Sequence, residues 1–466
     1  MQKNVIATHF IVQKSVKNHQ ILAQENVIEM KRDVYSELMA WKKRPYRKPL
    51  ILNGARQVGK TWLLQEFAKC EYQKTAMFSL DRHVEARAIF EQGGDIKRII
   101  RGLSALAGVD ITPGDTLLIL DEIQDCPKAL TSLKFFCEDA PDIHVAVAGS
   151  LLGISLHEQS SFPVGKVEII RIYPMTFVEF LRAMGREQMA DELQHGDWQI
   201  IDALRESYID LLRQYYYVGG MPAVVKAYSE NGLLQEVRTL QHKILLDYEE
   251  DFSKHAPANE VPRIRMVWKS VPSQLAKENK KFIYSIIRKG ARAAAFEVAI
   301  QWLVDAGLVY KVPRISTVKM PLKFYEDFNA FKLFVLDVGL MGAMVDAPAA
   351  AMMVGNHIFS EYKGAFTELY VCMQMQGTHL PMFYYSAENS RIELDYVIQI
   401  GTAAYPVEVK AEENVYAKSM KTFLSKNPTI KGILLSMKPH SDSDKLERIP
   451  LYAFREEFIR RNQNQE

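Results

Sequence analysis

Three short stretches carry residue types at spacings suited to phosphate chemistry. Gly54-Ala55-Arg56-Gln57-Val58-Gly59-Lys60-Thr61 follows the pattern GxxxxGK[ST]. Its glycines let the backbone wrap until its N–H groups point at a β-phosphate, and the helix that follows adds its positive N-terminal end. Lys60 is then placed to reach the β- and γ-phosphates, and Thr61 offers a hydroxyl to Mg²⁺. ATP and Mg²⁺ are the expected cofactors. In DTLLILDEIQD, the apolar run Leu117 to Leu120 predicts a strand covered on both faces that ends at Asp121 and Glu122. Ligands sit at the carboxyl ends of such strands, so Asp121 is expected to hold the Mg²⁺ water shell and Glu122 to polarise the attacking water. The third stretch, RIELDYVIQIGTAAYPVEVKA, reads as a β-hairpin turning at Gly401 and Thr402. Period-two geometry sets Glu393 and Asp395 on one side of the first arm and Glu408 and Lys410 together on the second. Acids beside a lysine on one sheet face form the skeleton of a Mg²⁺-dependent phosphodiester-cleaving site.

Positioning these residues takes regular elements on either side. An apolar strand from Leu50 to Leu52 runs into the glycine-rich loop, and Trp62, Leu63, Leu64 and Phe67 recur at helical spacing after it. Thr75 to Leu80 is a further candidate strand, and IHVAVAGS is another buried one ending at Ser150. This order looks like that of the additional-strand P-loop ATPases, in which a polar residue beside the acidic strand senses the γ-phosphate. Ser150 is the candidate here, against a plain loop serine. A last strand in KVEIIRIYPMTFVEFL brings Arg171 to the edge of the nucleotide domain. Arg171 is a candidate arginine finger or sensor, although a lone arginine is more often a surface charge. Ahead of the hairpin, SEYKGAFTELYVCMQMQ reads as an amphipathic helix with Glu368 among Phe366, Leu369 and Tyr370. A carboxylate there lies at the helix margin or has a reason to be buried, because an unpaired buried charge is costly.

The chain has 466 residues, 48% of them hydrophobic and 24% charged, which is globular and too long for one ordinary core. Its formal net charge of +2 selects no partner. The four cysteines, Cys70, Cys126, Cys137 and Cys372, have no CxxC or zinc spacing and suit a reducing cytoplasm. The apolar run His144 to Leu156 is too short to span a bilayer, so no membrane contact is expected. Residues 1–29 carry no signal peptide and read either as an N-terminal arm or, preferably, as the product of a start placed too early.

Residues 205–345 are mainly helical in pattern. KFIYSIIRKGARAAAFEVAIQWLVDAGLVYKVPR reads as a helix, a turn at Gly290, a long amphipathic helix and a hairpin wing after Gly307. Phe296, Ala299, Ile300, Leu303 and Val304 form its expected buried face. That is a winged helix-turn-helix layout. From Val261 to Arg292 nine Lys/Arg stand against one acid, Glu278, a patch suited to DNA phosphates. Docking of protein partners through a solvated basic face is the equal alternative.

GARQVGKT, LLILDEIQ, AVAGS, RIYPMTFVEFL and YYYVGGMPAVV follow one another as in a prokaryotic family of AAA-type ATPases fused to a winged-helix segment and a C-terminal nuclease-like domain. The resemblance runs from about Met30 to the end; it departs where the sensor stretch continues as SLLGISL. It implies ATP binding and hydrolysis. The helix acid Glu368, then Asp395, then Glu408-x-Lys410 is similar to the PD-(D/E)xK core shared by Holliday-junction resolvases and restriction enzymes. That resemblance implies Mg²⁺ on Glu368, Asp395 and Glu408, with Lys410 stabilising charge on the attacking hydroxide or the phosphorane. The expected fold class is α/β: a P-loop ATPase sheet over 30–200, a helical winged-helix domain over 205–345 and a PD-(D/E)xK-like domain over 350–466. The expected function is an ATPase coupled to nucleic-acid binding or processing. The rival is a nucleotide-controlled switch that scaffolds proteins and keeps the nuclease fold without catalysis.

Overall fold

The computed structural model describes residues 31–149, 162–277, 280–349, 352, 360–387, 392–411 and 417–465. Ser150 and the 1–29 extension lie outside the described residues.

The strand-forming runs of the first third assemble as one parallel sheet. Its strands are β1 (Leu50–Asn53), β2 (Lys74–Ser79), β3 (Thr116–Asp121), β4 (His144–Gly149) and β5 (Glu168–Arg171), in the order β2-β3-β4-β1-β5. Alternate residues of β1, β3 and β4 enter different cores. Leu50, Leu52, Leu117, Ile119, Ala146 and Ala148 pack on one face. Ile51, Leu118, Leu120, Val145 and Val147 pack on the other. A sheet covered on both faces needs continuous apolar strands, which is why β3 and β4 read that way in the sequence. β4 lies between β3 and β1, and β2 and β5 are the edges.

A second, eight-stranded sheet holds β6 (Val309–Ile315), β7 (Glu326–Val335), β8 (Met382–Ser386), β9 (Glu393–Ile400), β10 (Ala403–Val409), β11 (Gly432–Ser436), β12 (Ser441–Asp442) and β13 (Leu446–Pro450). The β9–β10 hairpin turns at Gly401 and Thr402, with Ala403 opposite Ile400. β10 continues through the helix Lys418–Lys426 to a parallel β11. The β6–β7 hairpin, expected as the wing of the middle segment, belongs to this sheet: Arg314 pairs with Tyr384 and Ile315 with Tyr385. The sheet therefore runs across the boundary expected between 345 and 350. Strand edges demand hydrogen-bond partners, and β8 supplies them to β6.

Two helices differ from expectation. The long amphipathic helix is the short Glu297–Asp305, preceded by a one-turn helix at Tyr284–Ile287 and a 3₁₀ turn at Ala293–Ala295. Ala293 to Ala295 are exposed, and helix-forming residues without a face to bury do not hold a helix. Phe296, Ala299, Ile300 and Leu303 are buried as expected. The helix Ser360–Met375 is buried all round from Ala365 to Met375 rather than on one face. On one side Tyr370 donates to Leu451 O at 3.2 Å; on the other, Phe177 N donates to Gln374 Oε1 at 2.8 Å. Asp337 ties the middle helices together, accepting from Gly220 N at 2.6 Å and Leu340 N at 2.9 Å. No helix among the described residues is long and apolar enough to cross a membrane.

His144 on β4 gives a measurable consequence of this packing. It is buried between the rings of Trp41 and Tyr72, and its Nδ1 lies 2.7 Å from the Tyr72 hydroxyl. Burial pushes the imidazole down to about 4, with Arg47 and Lys42 adding to the effect. The folded chain thus stays unprotonated where the unfolded chain takes up a proton. This contribution is complete above about pH 6.5 and is lost as pH falls to about 4, on the order of 3 kcal/mol. Urea unfolding of wild type and His144→Gln at pH 7, 6, 5 and 4.5 is expected to show a flatter pH dependence for the variant. Parallel curves would contradict it.

Candidate functional site

The glycine-rich loop occupies the turn from β1 into the helix Lys60–Glu71. Gly54 is required by close approach, since a Cβ there would lie 2.3 Å from Ile172 O. Gly59 has φ +92°, where side chains are strained. The helix starts with no side-chain cap, so its first N–H groups are left facing the loop. Lys60 is buried and donates to Gly54 O and Ala55 O, both at 2.8 Å. Burial pulls its ammonium down to about 8, against the opposing charges of Glu122 and Asp121. Thr61 Oγ1 donates to Asp121 Oδ2 at 2.8 Å. Glu122 stands at φ +49°, and Gln124 Nε2 donates to its Oε2 at 2.6 Å. A phosphate cradle, a hydroxyl–carboxylate pair and a second acid thus meet at the ends of β1 and β3, an arrangement that fits a magnesium nucleotide.

Side chains not singled out in the sequence complete this site. The helix Leu234–His255 lies over the loop: Arg56 Nη1 is 2.5 Å from Asp251 Oδ1, Gln57 Nε2 donates to Asp247 Oδ2 at 2.6 Å, and Tyr248 donates to Arg56 O at 2.8 Å. Val58 is fully buried, and its carbonyl accepts from Arg32 at 3.0 Å. The signal was Asp247 and Asp251 four apart on one helix face, a spacing shared by many solvated helices. Arg171 is exposed at the end of β5, opposite Asn53. With Gly54, Tyr173, Lys311 and His379 it lines a cavity of 490 Å³ beside the start of the loop.

The acids of the C-terminal hairpin are brought together, but with more lysines than the sequence reading supplied. Glu368 and Glu408 are buried, and Asp395 is partly buried with its Oδ2 accepting from Val409 N at 2.7 Å. Lys410 Nζ lies 2.7 Å from Glu408 Oε1. Lys332 on β7 is fully buried, 2.8 Å from Glu393 Oε1 and 3.6 Å from Glu368 Oε2. Lys280, expected on the DNA-facing patch, is instead turned inward and pairs with Glu368 Oε1. Burial alone would raise Glu368, but Lys280 and Lys332 outweigh it and hold the carboxyl below its ordinary range. Burial, then the Glu368 and Glu408 charges, push Asp395 well up. Glu368 Oε2 and Glu408 Oε2 are buried without a hydrogen-bond partner. Among the described residues no group of three or more His, Cys, Asp or Glu stands ready to hold a metal. The signal for Lys332 was a lysine inside the apolar strand run AFKLFV.

Comparison with known proteins matches three segments of the chain. Residues 46–181 match the family described as AAA domain, residues 209–351 a domain of unknown function (DUF8612) and residues 363–454 a domain of unknown function (DUF4143). The chain thus carries an AAA-type ATPase domain joined to two further segments. No curated protein compared with the chain matches it. Among solved structures it is similar to the Walker-type ATPase paby2304 of Pyrococcus abyssi, with 13% identity, 69% of this chain and 97% of that chain covered, and a TM-score of 0.45. It is also similar to the Aeropyrum pernix ORC1 protein in complex with DNA, with 12% identity, 70% and 96% covered, and a TM-score of 0.25. AMPPCP-bound DnaA from Aquifex aeolicus gives 16% identity, 59% and 88% covered, and a TM-score of 0.27.

The buried charges predict a coupled stability effect. Glu368→Gln leaves Lys332 and Lys280 without their shared counter-charge and is expected to cost about 3–5 kcal/mol. Lys332→Met alone is expected to cost a similar amount. Combining the two removes the Lys332–Glu368 pair and leaves Lys280 and Glu393 as the charges without their partners, so urea unfolding of the double variant should show a loss below the sum. Simple additivity would contradict the pairing.

Proposed function

We propose that this chain binds ATP with Mg²⁺ at the Gly54–Thr61 loop, hydrolyses it, and couples that cycle to nucleic-acid binding or processing by its C-terminal half. The observation that carries the ATP reading is the 2.8 Å Thr61–Asp121 contact beside the Lys60 ammonium. In this reading Ala55, Arg56, Gln57, Val58 and Gly59 line the β- and γ-phosphates, Lys60 neutralises them, and Thr61 and Asp121 hold the ion. Glu122 orients the water, while Ser150 and Arg171 remain candidates for sensing the γ-phosphate.

Support for the nucleic-acid reading comes from the order of elements. A helix bearing Glu368, then β8, β9 with Asp395, β10 with Glu408 and Lys410, a crossover helix and parallel β11 resembles the order of a PD-(D/E)xK core. Glu368, Asp395 and Glu408 would hold Mg²⁺, and Lys410 would stabilise the developing charge. The basic run from 261 to 292 is narrower than its composition implied. Arg263 pairs with Glu260, Lys269 with Glu249 and Lys280 with Glu368. Lys277, Arg288, Lys289 and Arg292 remain exposed for phosphates. One observation favours the second reading, a switch that scaffolds proteins: Lys280, Lys332 and Lys410 pair with Glu368, Glu393 and Glu408.

Two experiments test these readings. Lys60→Ala is expected to lose ATP affinity and turnover together, whereas Glu122→Gln keeps binding and loses hydrolysis, trapping the ATP state. Equal affinity in wild type and Lys60→Ala would sink the phosphate-cradle assignment. For the C-terminal site, plasmid and junction DNA with Mg²⁺ or Mn²⁺ should be cut by wild type and left intact by Asp395→Asn and Lys410→Ala. No cleavage, with no calorimetric metal binding that Asp395→Asn removes, would transfer the site to the switch reading.

A further inference from the structure

The β6–β7 hairpin carries more than Lys332. Its register breaks between Pro313 and Arg314: Pro313 faces Phe331, whereas Arg314 faces Asp327, so residues 328–330 have no partner on β6. Such bulges re-aim side chains. Here the bulge leaves Phe328 80% exposed, and Phe324 on the same tip is 83% exposed. The tip does not lack a core to bury rings in, since its Val318 and Leu322 pack with Phe383 and Leu394. Lys319 and Lys323, on the same β6–β7 connection, stand exposed and form no ion pair among the described residues.

The bulge is held in place and linked to the carboxylate site. Arg314 Nη2 lies 2.6 Å from Asp327 Oδ2, and Asp327 Oδ1 accepts from Asn329 N at 2.9 Å. Arg314 Nη1 also reaches Ser386 Oγ at 3.5 Å, and Ser386 faces Glu393 across β8 and β9. Glu393 in turn holds Lys332. Two buried groups on this path have no hydrogen-bond partner, Arg314 Nε and the Tyr384 hydroxyl. Tyr384 is 1% exposed, with its ring 4.9 Å from Lys332 Nζ. The path from Phe328 to Lys332 is about 13 Å of extended strand.

Rings open to water and unpaired ammonium groups on one connection suit a ligand that offers both flat rings and anions. Unpaired bases offer π-faces for stacking, and their backbone offers phosphates. Asp327 does not oppose this, because Arg314 neutralises it. We propose that the outer end of the β6–β7 hairpin binds single-stranded nucleic acid, with Phe328 and Phe324 stacking on bases and Lys319 and Lys323 meeting phosphates. The inference rests on the nucleic-acid reading above and narrows its substrate to unpaired strand.

The test uses the full chain and a single-stranded DNA oligonucleotide containing 2-aminopurine, read by fluorescence quenching and anisotropy. Wild type is expected to bind and quench the probe. Phe328→Ala should weaken binding about tenfold and lose most of the quenching, whereas Phe328→Trp should retain both. Lys319→Glu with Lys323→Glu should weaken binding and flatten its salt dependence. An unchanged melting temperature shows that the exposed substitutions leave the fold intact. If wild type binds the strand and Phe328→Ala binds and quenches equally, the strand-binding tip is overturned while the nucleic-acid reading stands, and the exposed rings belong to a protein contact. If wild type binds no strand even at low salt, the strand-binding tip is overturned, and the plasmid and junction experiment decides the nucleic-acid reading by itself.

Discussion

A fully buried ammonium group sets the terms for the C-terminal half. Lys332 has no exposure at all, and a lone cation in that environment would lose its proton or unfold the strand that carries it. Burial alone would lower its pKa, yet Glu368, Glu393 and Asp395 hold it above the ordinary lysine value. Those three carboxylates come from a helix and from β9, while the lysine comes from β7. β7 is therefore committed to this sheet by charge as well as by the pairing of its hairpin partner β6 with β8. The same commitment brings Lys280 inward, because Phe282 N donates to Phe331 O, next in sequence to Lys332.

The glycine-rich loop is constrained in a comparable way, again by carboxylates answering a cation. Arg56 and Gln57 project from the loop toward a helix, and Asp251 and Asp247 answer them. A loop whose central residues are held by a separate helix cannot change shape without that helix responding. Gly307 lies close to the loop from the other side, a Cβ there standing 3.3 Å from Ala55 N, and it leads directly into β6. The loop therefore touches both the helical middle segment and the root of the hairpin that carries Lys332.

What was legible in the sequence follows from how local its cause is. The glycine-rich loop, the paired acids after β3 and the β9–β10 hairpin each rest on residues close in sequence, and each stands where patterning placed it. The two-sided cover of β3 and β4 was readable because an unbroken run of four or more apolar residues between turn signals has few places to go except the middle of a covered sheet. Partners drawn from far along the chain were not legible. Nothing local distinguishes Lys280 from the other basic residues of its run, and only the fold shows that it reaches a carboxylate 88 residues away. The helix Ser360–Met375 looked amphipathic because Gln374, Thr367 and Glu368 are polar. In the fold each is buried and bonded, Gln374 to Tyr215, Thr367 to Lys363 O and Glu368 to Lys280. Hydrophobic periodicity cannot tell a polar residue facing water from one facing a partner.

The middle segment meets both sites with charges of the same sign as the ligands proposed for them. Its Asp247 and Asp251 sit at the loop proposed to take phosphates, and its Lys280 sits on the carboxylate proposed to take a cation. Phosphates arriving at the loop would compete with those acids for Arg56, and a divalent ion arriving at Glu368 would compete with Lys280. In the proposed reading, each ligand therefore weakens a contact of one shared segment, so the two binding equilibria are linked through it. Linkage of this kind is reciprocal: whatever nucleotide does to metal affinity at the second site, metal must do to nucleotide affinity at the first. The sign follows from which contact holds the middle segment in place. If both contacts favour the same placement of the segment, releasing one lowers the cost of releasing the other, and the ligands reinforce each other.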